Sequence, residues 1–335
     1  MLRNGRKFNL DYEIDDFMFY CQQKDLRIKT IESYEACLRL FARYMKDEYD
    51  IEKVDAIKEL HIRAYITYTK ERGKYTFVAD NNSQNINYPQ NRSDYKSKVS
   101  ITTVNNYIRN LKVFFNYMEN ERSLKANPVK KIKQFKNFRK PKEALTDQEF
   151  KRLLQNIDTT KFHEYRDYIC TQLIYDTGMR LNECLLITME NLDLDTRTIL
   201  IPQEDAKGRK DRYVFYSQTM RNQLKRWISY KDRYVECDLL FCTKHGTRLG
   251  VSNFERNFRI YCERVGLKNI TAHGLRNNFA RNFLKENGSI YTLSKILGHS
   301  SVSVTEQAYA DLSTDDIRKS YQKYSPIERI KGGRK

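Results

Sequence analysis

The sequence predicts a mainly α-helical protein of two domains, with a small β-sheet in the second domain. A chain of 335 residues is long enough for about two domains that each bury a core. Apolar residues recur at helical spacing along much of the chain, and two short segments near residue 200 alternate as strands do. The hydrophobic content of 40% is typical of globular proteins and argues against a disordered chain.

The first domain, which we place at residues 1–123, is helical by pattern. One predicted helix is capped by Thr30 and has the apolar face Ile31, Tyr34, Leu38, Phe41 and Met45. A second predicted helix carries Val104, Tyr107, Ile108, Leu111, Phe114, Phe115 and Met118. Between these helices, residues 78–100 are rich in Asn, Ser, Asp and Gln without periodicity, so we expect a loop insertion there.

The charge of the chain predicts a polyanionic partner. The formal net charge is +18, and basic residues that neutralise phosphates release counterions on binding. Nucleic acid is the first candidate. An anionic membrane is the second, but no apolar run approaches the roughly 20 residues that span a bilayer. Seven cysteines in no CxxC pair indicate reduced thiols in a cytoplasmic protein without a structural zinc site. With a nucleic-acid partner, we expect the protein to be associated with the nucleoid.

Residues 124–143 are expected to link the domains. Their sequence from 124 to 142, LKANPVKKIKQFKNFRKPK, contains eight basic residues and no acidic one. Such a segment is either a solvated tether or a strap along a phosphate backbone, and the net charge favours the strap. The residues expected to contact DNA here are Lys130, Lys131, Lys133, Lys136, Arg139, Lys140 and Lys142.

The second domain, at residues 144–335, begins with the capping-box sequence Thr146-Asp147-Gln148-Glu149. Residues 196–202 and 211–217 read as two strands joined by the basic turn QEDAKGRKD, whose Arg209 and Lys210 are further candidates for DNA contact. We expect helical segments around 168–176, 181–187, 254–265, 275–284, 291–297 and 302–309, followed by a C-terminal tail at about 313–335.

Four stretches of this domain carry residues that could perform chemistry. In TGMRLNE, Gly178 is placed as a helix C-cap, which sets Arg180 in a turn where its guanidinium can bind two oxygens of a phosphate. In AKGRKDR, Lys207 lies at the tip of the predicted hairpin. Taken alone, an ordinary surface arginine and a solvated basic turn are the commoner interpretations of these two strings.

Histidines occur in the other two stretches. In TAHGLRNNF, His273 and Arg276 are three residues apart at a predicted helix start, which can bind an anion. In LGHSS, His299 precedes the helix that contains Tyr309. A lone histidine is about as often a structural residue as a catalytic one, and Tyr309 is one of 24 tyrosines.

Considered together, the six residues suit the cleavage of a phosphodiester. Two arginines can bind the charge that develops on the non-bridging oxygens. A phenol with a pKa of about 10 attacks more readily among cations. A tyrosine nucleophile would store the bond energy in a phosphotyrosine ester, so strand cutting could be reversed without a metal or a nucleotide. The chain shows no P-loop and no metal-ligand spacing, and we expect no cofactor.

In this order, TGMRLNE, KGRKDR, HGLR, LGHSS and the following tyrosine resemble the tyrosine recombinases, the family of phage integrases and Xer-type enzymes. The resemblance covers both domains, and it implies a helical core-binding domain and a mixed α/β catalytic domain that form a clamp on duplex DNA. The ten residues from His299 to Tyr309 depart from the nine that are common in the family.

The resemblance also assigns roles. It implies that Arg180 and Arg276 hold the scissile phosphate and that Lys207 protonates the departing 5′ oxygen. His273 would take the proton of the nucleophile, and His299 would donate a hydrogen bond to the phosphate. Tyr309 would form a 3′-phosphotyrosyl link, and Glu183 matches the supporting acidic position of the family.

Further expectations concern partners. The resemblance implies a homotetramer on two paired DNA core sites that exchanges strands through a Holliday junction, with the C-terminal tail docked on a neighbouring protomer. An accessory factor that bends DNA or sets directionality is a possible partner. Three alternatives remain open at this point: a type IB topoisomerase, a DNA-binding regulator without catalysis, and a zinc hydrolase using His273, His299 and Cys262.

Overall fold

The computed structural model describes residues 8–79, 88–136, 145–203, 211–299 and 301–309. Contacts between Cα atoms divide them into two units, and each unit has its own hydrophobic core. Within these residues the structure is mainly helical with a small antiparallel sheet, so the predicted fold class is confirmed. None of the described helices combines the length and the apolar character needed to cross a membrane.

The first unit is helical. Its elements are α1 (Leu10–Gln23), α2 (Ile28–Tyr49), a 3-10 turn (Val54–Ala56), α3 (Glu59–Glu71), a second 3-10 turn (Pro89–Asn91) and α4 (Ile101–Glu121). The apolar faces of α2 and α4 meet in the core, where Phe41 and Phe115 stand edge to face with ring centroids 6.1 Å apart. Helix α2 starts earlier than predicted. Arg27 is its N-cap residue and its carbonyl accepts from the backbone N–H of Thr30, so Thr30 lies inside the helix and does not cap it.

Part of the predicted insertion folds back on the first unit. The backbone N–H of Lys74 donates to the carbonyl of Ser97 at 2.8 Å, and the N–H of Lys96 donates to the carbonyl of Lys74 at 3.0 Å. The Lys74 ammonium lies 3.2 Å from the Asp94 carboxylate. Main-chain pairing therefore joins the segment around Lys96 to Lys74, and residues 80–87 lie outside the described part.

Residues 124–136, the described part of the segment expected to be a linker, pack on the first unit. Leu124, Val129 and Ile132 are buried in its core. The amide of Asn105 in α4 exchanges two hydrogen bonds of 2.9 Å with the backbone of Phe135. The apolar residues of the segment are thus buried, while its lysines at 130, 131, 133 and 136 are exposed. Arg139, Lys140 and Lys142 lie outside the described residues.

The second unit begins with the predicted capping box, in which the Thr146 hydroxyl accepts from the backbone of Glu149 and the Glu149 carboxylate accepts from the backbone of Thr146. Its helices are α5 (Asp147–Gln155), α6 (Phe162–Thr177), α7 (Leu181–Cys184), α8 (Gln218–Lys231), α9 (Val251–Arg264), α10 (Ala272–Lys285), α11 (Ile290–Leu297) and α12 (Val302–Tyr309). The sequence analysis did not assign α8, which starts at a Ser217 cap.

A three-stranded antiparallel sheet completes this unit, with β1 at Leu192–Asp193, β2 at Thr198–Ile201 and β3 at Arg212–Phe215. The two predicted strands are β2 and β3. They pair with Ile199 opposite Val214 and Ile201 opposite Arg212, which places one face of the sheet on the core. Lys207, Arg209 and Lys210, expected in the turn between them, lie outside the described residues.

Helix α6 lies at the centre of the second unit, with α8 and α10 packed against it. Its residues Ile169, Cys170, Leu173 and Ile174 are all fully buried, as expected of a helix that is covered on several sides. All seven cysteines of the chain are free, as predicted, and Cys170 is among the six that are buried.

The end of α6 comes very close to α10. Gly178 caps α6 in the left-handed region, at φ +68°, as the sequence predicts. A Cβ atom at Gly178 would lie 2.3 Å from Cδ1 of Phe279 in α10, and 3.0 Å from a methyl carbon of Leu297 in α11. Glycine is therefore required here both for its backbone conformation and for its lack of a side chain.

We expect Gly178→Ala to lower the free energy of unfolding by about 2–5 kcal/mol. Left-handed strain contributes about 1–2 kcal/mol of this loss, and overpacking against Phe279 contributes about 1–3 kcal/mol. Gly266→Ala is the matched control, because Gly266 has φ +71° but a Cβ atom there would meet nothing within 4 Å. Chemical denaturation measures both variants, and equal losses would contradict the close approach.

Candidate active site

Four chain segments that are far apart in sequence meet where α6 and α11 end. Arg180 follows α6, Arg212 begins β3, Arg276 lies in the second turn of α10, and His299 follows α11. Hydrogen bonds connect these side chains directly, through Glu183, or through main-chain carbonyls. The structure thus brings together four of the seven predicted site residues, Arg180, Glu183, Arg276 and His299.

Arg276 is buried, with only 2% of its surface exposed. Its Nη1 donates to the carbonyl of Gly178 at 2.8 Å, and its Nη2 donates to the carbonyl of Leu297 at 2.9 Å. Both carbonyls stand at helix C-termini, where the helix dipole is negative and attracts a cation. A third bond of 3.0 Å joins Nη2 to Nε2 of His299. The buried charge is thus stabilised mainly by the backbone.

Glu183 is a buried carboxylate shared by two arginines. Oε1 accepts from Nη1 of Arg180 at 2.7 Å and from Nη1 of Arg212 at 3.1 Å. Oε2 accepts from Nη2 of Arg212 at 2.5 Å and from the backbone N–H of Arg180 at 2.9 Å. Burial alone would raise its pKa, but the bonds and charges of Arg212 and Arg180 hold the pKa below its usual value. Glu183 is therefore ionised and fixes the direction of Arg180.

Arg212 is the residue that the sequence analysis missed. Only 10% of its side chain is exposed, and its Nε donates to the carbonyl of Ile296 at 3.3 Å. In the strand sequence RYVF, Arg212 falls on the same side as the buried Val214, because side chains alternate along a strand. A charged residue on the inward face of a strand could have indicated a buried partner for Arg212. Because a basic turn precedes the strand, Arg212 resembles one more exposed basic residue.

The side chain of Arg212 packs directly against Gly298, where a larger residue would not fit. It caps α11 in the left-handed region at φ +66°, and a Cβ atom there would lie 2.8 Å from Cδ of Arg212. The N–H of the next residue, His299, donates back to the carbonyl of Ser294 at 3.0 Å. The glycine of the LGH motif therefore allows the Arg212 side chain to approach the backbone closely, and it sets the position of His299.

His299 is half-buried between Arg276 and α12. Its Nε2 lies 3.0 Å from Nη2 of Arg276, and its Nδ1 lies 2.8 Å from Oγ1 of Thr305. Burial, and then the charges of Arg276, Arg180, Arg212 and His273, lower the pKa of His299 to about 4. The imidazole is therefore neutral at pH 7.

Of the three remaining predicted residues, His273, Lys207 and Tyr309, the structure describes only the side chain of His273. His273 is exposed in the first turn of α10, behind a Thr271 cap whose hydroxyl accepts from the N–H of Gly274 at 3.1 Å. Its charge contributes to the lowered pKa of His299. Tyr309 is the last residue of α12, but the phenol lies outside the described part of the chain, as does Lys207.

The charges of the site favour an anionic ligand. Arg180 and Arg212 share the Glu183 carboxylate, and Arg276 is held by main-chain carbonyls, so the described side chains of the site carry net positive charge. The side chain of Arg180 is 25% exposed, whereas Arg212 and Arg276 are covered. A guanidinium that is fixed by a carboxylate and still reaches solvent is suited to bind a phosphate through two oxygens.

A metal centre receives no support from this geometry. Among the described residues, no three or more His, Cys, Asp or Glu side chains are grouped as metal ligands would be. Both ring nitrogens of His299 are engaged by Arg276 and Thr305, and Cys262 is buried in the core. The described part of the site therefore offers no ligand set for the zinc hydrolase alternative.

Comparisons with known proteins agree with this picture. Residues 143–315 match the phage integrase family. The chain is 27% identical to the tyrosine recombinase XerD of Oceanobacillus iheyensis over 324 residues, which cover 95% of this chain and 99% of the relative. It is also 27% identical to the tyrosine recombinase XerC of Thermodesulfovibrio yellowstonii, with 96% and 98% of the two chains covered.

Two solved structures show the same fold at low identity. The Tn1549 transposon integrase, solved in complex with transposon right end DNA, gives a TM-score of 0.72 at 16% identity and covers 93% of this chain and 99% of that one. The XerH site-specific recombinase, bound to a palindromic difH substrate, gives a TM-score of 0.65 at 21% identity, with 91% and 82% covered.

The family match spans more than half of the chain and includes every candidate catalytic residue from Arg180 to Tyr309. It also includes Arg212 and Thr305, which the structure adds to the site. The chain therefore belongs to the phage integrase family and is a tyrosine recombinase.

Proposed function

We propose that this protein is a site-specific recombinase that cuts and rejoins duplex DNA through a 3′-phosphotyrosyl intermediate. The observation that carries the proposal is a cluster of three arginines, Arg180, Arg212 and Arg276, whose side chains are fixed by hydrogen bonds. The cluster lies at the end of α11, and α12, which packs on α11, ends at Tyr309. Fixed positive charge of this kind stabilises the charge that develops on a phosphoryl group in transfer.

The proposed roles follow from this arrangement and from the family. Arg180 and Arg276 bind the non-bridging oxygens of the scissile phosphate, with Glu183 and Arg212 holding Arg180 in place. The phenolic oxygen of Tyr309 attacks phosphorus and forms a P–O bond, and its proton passes to His273. The bond from phosphorus to the 5′ oxygen breaks, and Lys207 protonates that oxygen. Attack by a 5′ hydroxyl from the partner strand reverses these steps.

The assembly that we propose is the one implied by the family. Two units linked by a basic segment form a clamp on duplex DNA, and four protomers on two core sites exchange strands through a Holliday junction. The tail at 313–335 docks on a neighbouring protomer. Relatives solved with DNA support a DNA substrate, among them a lambda integrase dimer bound to a COC′ core site. The cellular task is integration or excision of a mobile element, or resolution, in the cytoplasm.

We further propose that the exposed lysines of residues 124–136 contact the DNA backbone. The segment is anchored by Leu124, Val129 and Ile132, so its lysines stand on a fixed surface and not on a free tether. A fixed row of cations can bind successive phosphates with less loss of conformational freedom than a flexible strap.

The second prediction concerns the nucleophile. Incubation with fragmented genomic DNA of the source organism, followed by denaturation in detergent, should leave DNA covalently bound through its 3′ end to the wild-type protein. Tyr309→Phe should retain none, because the attacking oxygen is gone. Tyr291→Phe is the control, since Tyr291 is 68% exposed on α11 and should capture DNA normally.

Sequencing of the captured ends distinguishes the alternatives. A single recovered site supports a recombinase, which can then be tested with two copies of that site on a plasmid. Relaxation of supercoiled DNA that lacks the site would indicate a type IB topoisomerase. If wild type binds DNA tightly but captures none, the protein is a regulator and the proposal is wrong.

The third prediction concerns Arg212. We expect Arg212→Lys to slow single-turnover DNA cleavage by about 10²-fold with little change in the Kd for DNA, because Arg180 loses its fixed direction. Arg259→Lys is the control, since Arg259 is an exposed arginine paired at 3.8 Å with Glu263. Circular dichroism establishes that both variants fold. A cleavage rate equal to that of wild type would contradict a positioning role for Arg212.

The fourth prediction concerns the exposed lysines of residues 124–136. Replacing Lys130, Lys131, Lys133 and Lys136 with Gln should reduce the slope of log K against log salt by up to about 0.9 for each phosphate that the protein no longer neutralises. The control replaces the same number of exposed lysines elsewhere in the first unit, Lys24, Lys29, Lys53 and Lys98. Both variants lose the same charge. Equal changes in the slope of log K against log salt would therefore refute a specific contact between the lysines of residues 124–136 and the DNA backbone.

A further inference from the structure

Thr305 is a buried residue of α12, the helix that ends at Tyr309. Its neighbours Ser303 and Glu306 on the same helix are exposed. A buried hydroxyl costs free energy unless it has a hydrogen-bond partner. The Thr305 hydroxyl has one, because its Oγ1 lies 2.8 Å from Nδ1 of His299. A side-chain bond therefore joins α12 to the histidine that follows α11.

His299 is itself fixed at two further points. Its backbone N–H donates to the carbonyl of Ser294 in α11 at 3.0 Å. Its Nε2 lies 3.0 Å from Nη2 of Arg276, which is held in turn by main-chain carbonyls at the ends of α6 and α11. The bond from Thr305 thus connects α12 to a frame that is built from α6, α10 and α11.

The period of an α-helix relates Thr305 to the position of the nucleophile. Each residue turns the chain by about 100°, so four residues end about 40° beyond one full turn. Position 309 therefore lies one turn along the helix from Thr305 and on the same face. Val302, three residues before Thr305, is half-buried, as expected of that face. His299 thus holds the face of α12 on which Tyr309 falls.

Rotation of α12 about its own axis would displace the nucleophile. The Cα atoms of a helix lie about 2.3 Å from the axis, so a rotation of about 30° moves the Cα atom at position 309 by about 1.2 Å. Atoms farther from the axis move by more. A misplacement of about 1 Å can slow a reaction by about 10²-fold. A bond that resists this rotation therefore bears directly on the rate of attack.

Resting on the proposed function, we propose that Thr305 is a positioning residue whose bond to His299 sets the rotation of α12, and with it the direction from which Tyr309 approaches the scissile phosphate. Thr305 acts through His299 and touches no reacting atom. His299 thereby has a second role, because it joins the arginine cluster to the helix that bears the nucleophile.

Both branches of the threonine side chain suit this role. The hydroxyl can donate or accept, so it pairs with Nδ1 of His299 whichever ring nitrogen carries the hydrogen. The methyl group restricts rotation about χ1, which keeps the hydroxyl directed at the ring. Valine has nearly the same shape and cannot make the bond, whereas serine can make the bond with a less restricted side chain.

Single-turnover cleavage at saturating DNA tests the positioning role. Thr305→Val should cleave about tenfold more slowly than wild type with an unchanged Kd for DNA, in line with the loss of one hydrogen bond. Thr305→Ser keeps the bond and should cleave within about threefold of wild type. Ser303→Ala removes an exposed hydroxyl from the same helix and should cleave as wild type does. Circular dichroism establishes that the variants fold.

A double-mutant cycle tests whether Thr305 acts through His299. Wild type, Thr305→Val, His299→Ala and the double variant are unfolded in urea. Once the imidazole is removed, the hydroxyl of Thr305 has no bond to His299 left to lose. The shift of the unfolding midpoint in the double variant should therefore be smaller than the sum of the two single shifts. This measurement does not require cleavage.

Two results would overturn the inference and leave the proposed function intact. One is a folded Thr305→Val variant that cleaves at the wild-type rate. The other is a pair of midpoint shifts that add, which would show that Thr305 does not act through His299. Absence of any covalent complex from wild type would instead refute the proposed function and, with it, the role of Thr305 in placing the nucleophile.

Discussion

Arg276 joins the ends of two helices through main-chain oxygens. Its guanidinium donates to the carbonyl of Gly178 after α6 and to that of Leu297 at the end of α11. The chain turns in a left-handed glycine at each of these ends, at Gly178 and Gly298, and the next candidate site residue follows within two positions. The placement of Arg180 and of His299 therefore depends on the same buried cation.

Glu183 adds a second, electrostatic constraint. Burying one carboxylate and parts of two arginines costs free energy, which is recovered only when every charge has well-aligned partners. The hydrogen bonds from Arg180 and Arg212 meet that condition, and together with Arg276 they leave the site with an excess of positive charge. Such an excess is poorly explained by folding alone. It is well explained by an anionic ligand that completes the balance.

The sequence predicted the features that depend on local patterns. The capping box at Thr146 and the C-cap at Gly178 are encoded within a few residues, and the strands β2 and β3 follow from alternation. Sequence order and resemblance also identified Arg180, Glu183, Arg276 and His299 as one group, which the structure brings together.

Features that depend on distant partners were not predictable in this way. Arg212 contacts Glu183 and Ile296, which are 29 and 84 residues away, so a basic string gave no sign of its burial. The lysines of the segment after Leu124 dominate its composition and predict a linker, whereas its fewer apolar residues decide where it packs. The bond from Thr305 to His299 depends on the orientation of one ring.

The use of main-chain acceptors around Arg276 bears on how such a site tolerates evolutionary change. A carbonyl oxygen survives the replacement of its own side chain, so the residues that bear these acceptors can vary as long as the backbone path is kept. The arrangement therefore depends on the Arg276 guanidinium and on the two left-handed glycines more than on the identity of the side chains around them. This is consistent with a fold that is shared with the Tn1549 integrase at only 16% identity. A fold that positions these charged groups is thus compatible with wide sequence divergence.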